Sequence, residues 1–248
     1  MFTDTHCHIL KEYYEDIDTV VREAEARGIT KMIVNGTNLA TNLEVLSLAQ
    51  NYKAIYAAIG YHPEDLADFR EEDLNEIEEN IDKIVAIGEI GLDYHYEPCD
   101  RISQMKLFRR QLDIAQKYHK PVIVHSRDAT EDTIKILKEY PEVTGSIHCF
   151  SGSIETARIY IEMGYKLGFG GVLTFKNAHL KDVLKKIPPS AILLETDSPY
   201  LSPEPVRGTA NTPANISHIV DFISREISLS PKEISHITEK NVRDLFDI

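Results

Sequence analysis

The fold is decided by a repeat that is already complete in residues 2–34, which read FTDTHCHILKEYYEDIDTVVREAEARGITKMIV. A short run typical of a strand, residues 2–6, is followed by an amphipathic stretch at about residues 16–27, which ends at Gly28. A second strand-like run, residues 31–34, comes next. Such alternation is typical of a parallel sheet with helices packed outside it.

The same alternation continues along the chain and gives eight strand-helix units. Strands are predicted at residues 2–6, 31–34, 54–59, 84–89, 121–125, 144–148, 166–170 and 191–196. Helices are predicted at about residues 16–27, 39–50, 71–80, 101–119, 129–139, 154–163, 179–186 and 213–227. Eight units in ~250 residues match a closed (β/α)8 TIM barrel.

An additional C-terminal helix and a single domain complete this prediction. Ser230-Pro231-Lys232-Glu233 combines a capping box with proline at the first helical position. We expect the helix that it starts to cover the outside of the barrel. No Gly/Ser-rich linker divides the chain, so residues 1–248 are predicted to form one domain. An open doubly wound sheet is disfavoured because no Gly-rich nucleotide-binding turn follows the first strand.

Composition limits the compartment and the partners. The chain has three widely spaced cysteines, which is not a disulfide framework. It shows neither a signal peptide nor an apolar run long enough to span a membrane, so we expect a cytoplasmic protein. The formal net charge of -13 argues against a broad basic surface that coats nucleic acid. It leaves open a nucleic-acid substrate that is held locally by cations.

The chemistry collects at the carboxyl ends of the predicted strands. His6 and His8 are two residues apart, so on a strand they point to the same side. An isolated pair of this kind is weak evidence for a metal site. Four further residues of ligand type end other strands: Glu89, His125, His148 and Asp197. In a TIM barrel these ends converge on one face, so the six residues predict a metal site there.

The composition of this set suits two divalent cations, Mg, Mn or Zn. Glu89 lies on a middle strand and could bridge the two ions. Such pairs activate a water and polarise the bond that is cut. Asp197 could bind one ion and orient or deprotonate the attacking water. Glu89 and Asp197 are therefore the predicted catalytic residues of a hydrolase.

With these residues the sequence resembles the TatD family of metal-dependent deoxyribonucleases, which belongs to the amidohydrolase-like barrels. The matching segments are residues 4–8 (DTHCH), 60–63 (GYHP), 87–94 (IGEIGLDY), 125–129 (HSRDA), 148–152 (HCFSG) and 195–201 (ETDSPYL). The resemblance implies a (β/α)8 barrel, divalent metals and hydrolysis of phosphodiester bonds in DNA, often as an exonuclease. The family's ligand positions coincide with the six residues at the strand ends.

Four residues near the same face are candidates for binding substrate. His62 and Arg127 could contact a phosphate, the latter through its guanidinium fork. Arg207 lies in the long loop after the eighth strand, and Tyr94 could stack on a base. Gly168, Gly170 and Gly171 could form a phosphate site, although we favour close packing in the barrel. Cys7 and Cys149 adjoin ligands on strands and are expected to point away as small buried hydrophobes.

Two other functions are compatible with these residues. One is a barrel hydrolase of an amide, a lactone or an aminoacyl ester, for example on tRNA. Glu89, in place of the lysine that many amidohydrolases carbamylate as their bridge, points away from the amide-hydrolysing members. The other is a binding protein that kept the barrel and lost turnover, against which the complete ligand set speaks. DNA, single-stranded or bound at an end, is the partner that the sequence favours.

Overall fold

Eight parallel strands form a nearly closed barrel in this computed structural model, which describes all 248 residues. They are β1 (Phe2–Cys7), β2 (Ile29–Asn35), β3 (Ile55–Ile59), β4 (Ala86–Asp93), β5 (Val122–Arg127), β6 (Gly145–Ile147), β7 (Lys166–Phe169) and β8 (Ile192–Leu194). Each strand pairs with the next one in the chain. The predicted TIM barrel is thereby confirmed.

Helices follow each of the strands and surround the sheet. They are α1 (Ile17–Ala26), α2 (Leu39–Asn51), α3 (Leu74–Glu79), α4 (Arg101–Tyr118), α5 (Thr130–Leu137), α6 (Ile154–Glu162), α7 (Leu180–Leu184), α8 (Ile216–Ile227) and α9 (Pro231–Phe246). Asp16, Asp100 and Ser153 cap α1, α4 and α6 by accepting a backbone N–H three residues on. None of these helices combines the length and the apolar character needed to cross a membrane.

The first and last strands meet along a seam. Cys7 and Ser198 form an isolated parallel bridge, and the His8 amide donates to the Ser198 carbonyl at 2.7 Å. The Asp197 amide donates to the His6 carbonyl at 2.9 Å. Thr5 Oγ1 donates to the Leu194 carbonyl at 3.0 Å. The seam therefore brings the residues after β8 beside the end of β1.

Some predicted boundaries are wrong, and the differences have local causes. The third and eighth helices start late, because residues 71–73 and 213–215 form 3-10 turns before α3 and α8. Strand β4 runs four residues past Glu89 to Asp93, where it still pairs with Arg127 of β5. Strand β8 instead ends at Leu194, three residues before Asp197.

The C-terminal helix exists as predicted, with its capping box between Ser230 and Glu233, but its predicted place was wrong. Val242 and Phe246 of α9 form a buried cluster with residues of five strands: Ile33, Ala58, Ala86, Ile123 and Leu193. Ile123 lies two residues before His125, so the two side chains share the interior face of the barrel. The last turns of α9 therefore close the amino-terminal end of the barrel, and only the start of the helix, at Ile234, packs in the outer layer. The small alanines on β3 and β4 leave room for it.

Candidate metal centre

The six predicted ligands meet at the carboxyl end of the barrel. His6, Glu89 and His125 lie on β1, β4 and β5, whereas the other three follow strand ends by one to three residues. All except His6 line a cavity of about 700 Å³, and His6 is buried behind it. The three ligands that follow strand ends are His8, His148 and Asp197.

Glu89 lies between two groups of imidazoles and turns one oxygen toward each. Its Oε1 atom is 2.9 Å from His125 Nδ1 and 2.9 Å from His148 Nε2. Its Oε2 atom is 3.4 Å from the Nε2 atoms of both His6 and His8. The carboxylate is almost completely buried, at 3% exposure. One shared carboxylate between two nitrogen sets is the arrangement that a pair of cations needs.

Asp197 completes the first of these sets. Its Oδ1 atom is 3.5 Å from His6 Nε2 and 3.7 Å from His8 Nε2. The backbone of Asp197 is left-handed, with φ of 56°, and its amide is held by the His6 carbonyl across the seam. Strained backbone at a rim position is retained where the surrounding structure fixes it. The seam thus places this carboxylate opposite His6 and His8.

The protonation of His8 supports cation binding. Its Nδ1 atom is 3.0 Å from the Asn35 carbonyl, which can only accept, so Nδ1 carries the proton. In the neutral ring the Nε2 atom then has a lone pair, and it faces His6 Nε2 at 3.1 Å. His6 Nδ1 is buried without a partner. Two nitrogen lone pairs that face each other repel, whereas a divalent cation between them and the two carboxylates would be bound by all four groups.

Two acidic residues that sequence reasoning missed support the other histidines. Asp93 Oδ2 accepts from His125 Nε2 at 2.8 Å, which leaves His125 Nδ1 free to face Glu89. Glu195 Oε1 is 3.7 Å from His148 Nδ1 and accepts the Cys149 amide. Carboxylates behind ligating histidines fix their orientation and raise their basicity. Spacing could have revealed both, since they lie four residues after Glu89 and two before Asp197.

Burial and charge shift the titration of the whole cluster. Burial alone would raise the pKa of Glu89, but His148, His6 and His62 hold it well below the ordinary value. Burial lowers the pKa of His6 well below its usual range and raises the pKa of Asp197 to about 6. Burial alone would lower the pKa of His148, but Glu89 holds it well above the ordinary value, so a proton on His148 balances the charge of Glu89 when no cation does so. Two divalent ions would supply that positive charge directly.

His62 lines the cavity but has the wrong tautomer for a ligand. Its Nδ1 atom accepts the Glu64 amide at 3.2 Å, so its proton is on Nε2, which lies 3.6 Å from Glu89 Oε1. Burial lowers the pKa of His62 to about 3, so the ring is neutral. A neutral N–H that points into the cavity suits a hydrogen bond to substrate better than a bond to metal.

Of the other three predicted substrate-binding residues, one lines the cavity and two do not. Arg127 lines the cavity, with its guanidinium 5.1 Å from the centre of the Tyr96 ring. Tyr94 is buried outside that lining, and its hydroxyl donates to Asp132 at 3.0 Å. Arg207 also lies outside it and packs on Phe175, 3.7 Å from the ring centre. The structure thus brings Arg127 and His62 to the ligands, but not Tyr94 and Arg207.

The nearby cysteines and glycines show where strand periodicity holds. Cys7 is fully buried and donates to the Ile33 carbonyl, as expected for a side chain that points away from the ligands. Cys149 instead lines the cavity, because it follows the end of β6 with φ of 45° and no longer alternates. At Gly168 a Cβ atom would lie 1.9 Å from Glu195 Oε2. Close packing against Glu195 explains this glycine.

Comparison with known proteins identifies the family. A model of the TatD-related DNases matches residues 3–247. The chain belongs to the TatD family of metal-dependent hydrolases. It is 42% identical to the uncharacterized metal-dependent hydrolase YabD of Bacillus subtilis strain 168, over 100% of both chains. It is 34% identical to the similarly named YcfH of Escherichia coli K12, over 99% of this chain and 95% of that one.

Solved structures agree with this TatD-family assignment. The TatD homologue YjjV of Escherichia coli K12 superposes with a TM-score of 0.95 at 32% identity, covering 100% of this chain and 98% of that one. A mutant organophosphorus hydrolase from Deinococcus radiodurans reaches a TM-score of 0.67 at 15% identity, covering 99% and 92%. The second likeness shows only that the barrel fold is shared.

Proposed function

We propose that this TatD-family hydrolase is a deoxyribonuclease that cleaves phosphodiester bonds near an end of DNA, with two divalent cations. The observation that carries the proposal is the position of Glu89, whose two oxygens face two different sets of histidines. One set is His6 and His8 with Asp197. The other is His125 with His148, which each lie 2.9 Å from Glu89 Oε1. In-line displacement at phosphorus is served by such paired sites.

The cations and the side chains have separable parts in this proposal. When bound, the cations supply Lewis-acid polarisation of the phosphoryl group and a water of lowered pKa. Asp197, at 14% side-chain exposure, is the ligand placed to accept a proton from the attacking water. His62 donates through Nε2, and Arg127 offers its guanidinium to a phosphate oxygen from the cavity wall.

The decisive experiment uses single-stranded DNA labelled separately at each end. The protein is first stripped of metal and then given Mg, Mn or Zn in turn. Cleavage that depends on added metal and shortens the strand stepwise from one end is the expected result. A total lack of cleavage with every ion would rule out the deoxyribonuclease.

A smaller ester or lactone is the second candidate substrate, and the charge of the cavity favours it. The lining holds six carboxylates: Glu12, Glu64, Asp65, Glu89, Asp93 and Asp197. Arg127 is its one permanently charged cation. A wall of this composition does not itself attract a polyanion. Faster metal-dependent turnover of a neutral lactone or aryl ester than of DNA, under the same conditions, would select this alternative.

A further inference from the structure

Exposed tyrosines are concentrated at the mouth of the metal cavity. Of the 12 tyrosines in the chain, the exposed ones are Tyr13, Tyr96 and Tyr200, at 40%, 58% and 48%. All three line the cavity. Large aromatic surface left in water at a ligand site marks a place where an apolar or aromatic group docks.

Two of the three tyrosines form a pair on one side of the mouth. The rings of Tyr13 and Tyr200 meet edge to face, with centres 5.7 Å apart, and their hydroxyls are hydrogen-bonded at 2.9 Å. Tyr96 lies elsewhere on the lining and already packs against the guanidinium of Arg127. The Tyr13–Tyr200 pair is therefore the aromatic surface that remains open to a ligand.

The backbone beneath Tyr200 is held firmly in place. Its amide donates to the Asp197 carbonyl at 2.8 Å, and its carbonyl accepts from the side chain of Asn211 at 2.7 Å. Asn211 is fully buried, and its own carbonyl accepts from Tyr14 at 2.7 Å. A fixed aromatic ring loses little conformational freedom when a ligand stacks on it.

The position of the pair relates it to the metal centre. Tyr200 follows the ligand Asp197 by three residues, and its ring centre is 6.4 Å from that of His8. A group that rests on Tyr200 therefore lies beside the metal centre, within reach of a phosphate bound there. Because the lining carries six carboxylates and one arginine, stacking must supply affinity that a basic groove would otherwise provide.

We propose that Tyr13 and Tyr200 form a stacking site for an unpaired nucleobase next to the scissile phosphodiester. The inference rests on the proposed deoxyribonuclease function and narrows its substrate to single-stranded ends. A base inside a duplex has both faces covered by its neighbours, so it cannot lie on a protein ring without leaving the stack. Stacking tolerates any base, so cleavage should show little sequence preference.

The test compares two single-stranded oligonucleotides that differ only at the nucleotide beside the cleaved bond. One carries its base, and the other is abasic at that position. For the unaltered protein with metal, KM for the abasic strand should be roughly ten-fold higher, within the range of one base stacked on an aromatic ring. The change should fall on KM rather than kcat, because the base does not take part in the reaction.

Substitutions then assign the preference to the tyrosines. Tyr200→Ala should remove most of the preference for the intact strand, whereas Tyr200→Phe should keep it because the ring remains. Tyr13→Ala should reduce it less, since Tyr13 supports Tyr200 from the side. Leu43→Ala, at an equally exposed apolar position on α2, is the matched control and should behave as the unaltered protein.

A fluorescence measurement protects the test against a misfolded variant. The chain contains no tryptophan, so 2-aminopurine placed at the same nucleotide can be observed without interference. Its emission should be quenched on binding the unaltered protein and Tyr200→Phe. Equal KM values for intact and abasic strands, or unquenched emission with the unaltered protein, would overturn the stacking site while leaving the deoxyribonuclease standing. Failure to cleave any strand would overturn both.

Discussion

The two ends of the barrel have opposite compositions. At the carboxyl end, imidazoles and carboxylates are buried within 4 Å of one another, and His6 Nδ1 has no partner. At the amino end, Val242 and Phe246 of α9 fill the interior against aliphatic side chains of five strands. The carboxyl end therefore buries charged groups that are incompletely paired in the absence of a cation. The cluster at the amino end contains only apolar side chains.

Stability and chemistry are thus separated along the barrel axis. Buried charge that is incompletely paired destabilises a fold, whereas apolar packing stabilises it. Changes at the amino end should therefore lower the free energy of unfolding, and changes at the carboxyl end should lower metal binding and turnover. Three substitutions and the response to salt test this division.

The largest effect is expected at the amino end. Phe246→Ala removes a ring that is 4% exposed and should lower the free energy of unfolding by about 3–5 kcal/mol. Denaturant titration of the metal-free protein measures it. Ile102→Ala, at 79% exposure on α4, is the control and should leave the midpoint unchanged. An equal loss for both variants would mean that α9 does not seal the barrel.

At the other end, Glu89→Gln should slow catalysis strongly while the barrel stays folded. It takes away the charge shared by both imidazole sets, and we expect kcat to fall on the order of 10²–10³-fold. Metal content measured after loading and gel filtration should fall as well. Glu79→Gln on α3 makes the same change at an exposed carboxylate and should retain both properties. Full metal content and activity in Glu89→Gln would contradict the shared-ligand arrangement.

A smaller effect is expected behind the ligands. Glu195→Gln keeps an acceptor for the Cys149 amide but removes the negative charge that faces His148. Metal affinity should weaken about ten-fold, as for other carboxylates behind ligating histidines. Competition with a fluorescent chelator measures this affinity. An unchanged dissociation constant together with a lower melting temperature would show that Glu195 only packs against Gly168.

The smallest effect concerns salt. With one guanidinium on the cavity wall, few phosphates are neutralised, so log KM should change with log salt by no more than about 1.5, at ~0.7 per contact. Arg127→Gln should lower that slope by roughly 0.7. Lys138→Gln, exposed at the end of α5, should not change it. A steep slope would place a basic substrate path outside the cavity.

Periodicity in the sequence was sufficient to predict the barrel and to bring six ligand residues to one face. It worked because strand ends in this fold converge regardless of loop length. It failed for α9, since an amphipathic helix looks the same whether it covers a barrel or closes its end. Ala58 and Ala86 make room for α9, but this role can be recognised only once the strands are arranged in a barrel.

The finer assignments failed where the chain leaves regular strand. Cys149 lines the cavity because its left-handed backbone ends the alternation that would have turned it away. Tyr94 was expected at the substrate, but β4 continues to Asp93 and buries it against α4 and α5. Glu195 lies two residues before Asp197, so the spacing that pairs His6 with His8 also predicts a place for it beside the metal centre.

A cation at the seam would connect the first and last strands of the barrel. His6 lies on the first strand, His8 directly follows it, and Asp197 follows the last strand. A cation shared by them would therefore be a cross-link between segments about 190 residues apart in the chain. Contacts of such long range are costly to form because a large loop must be closed. Metal binding would therefore favour the closed ring of strands over the opened one by mass action. After removal of the metal, backbone amide hydrogens of β1 and β8 should be the first to exchange faster with solvent.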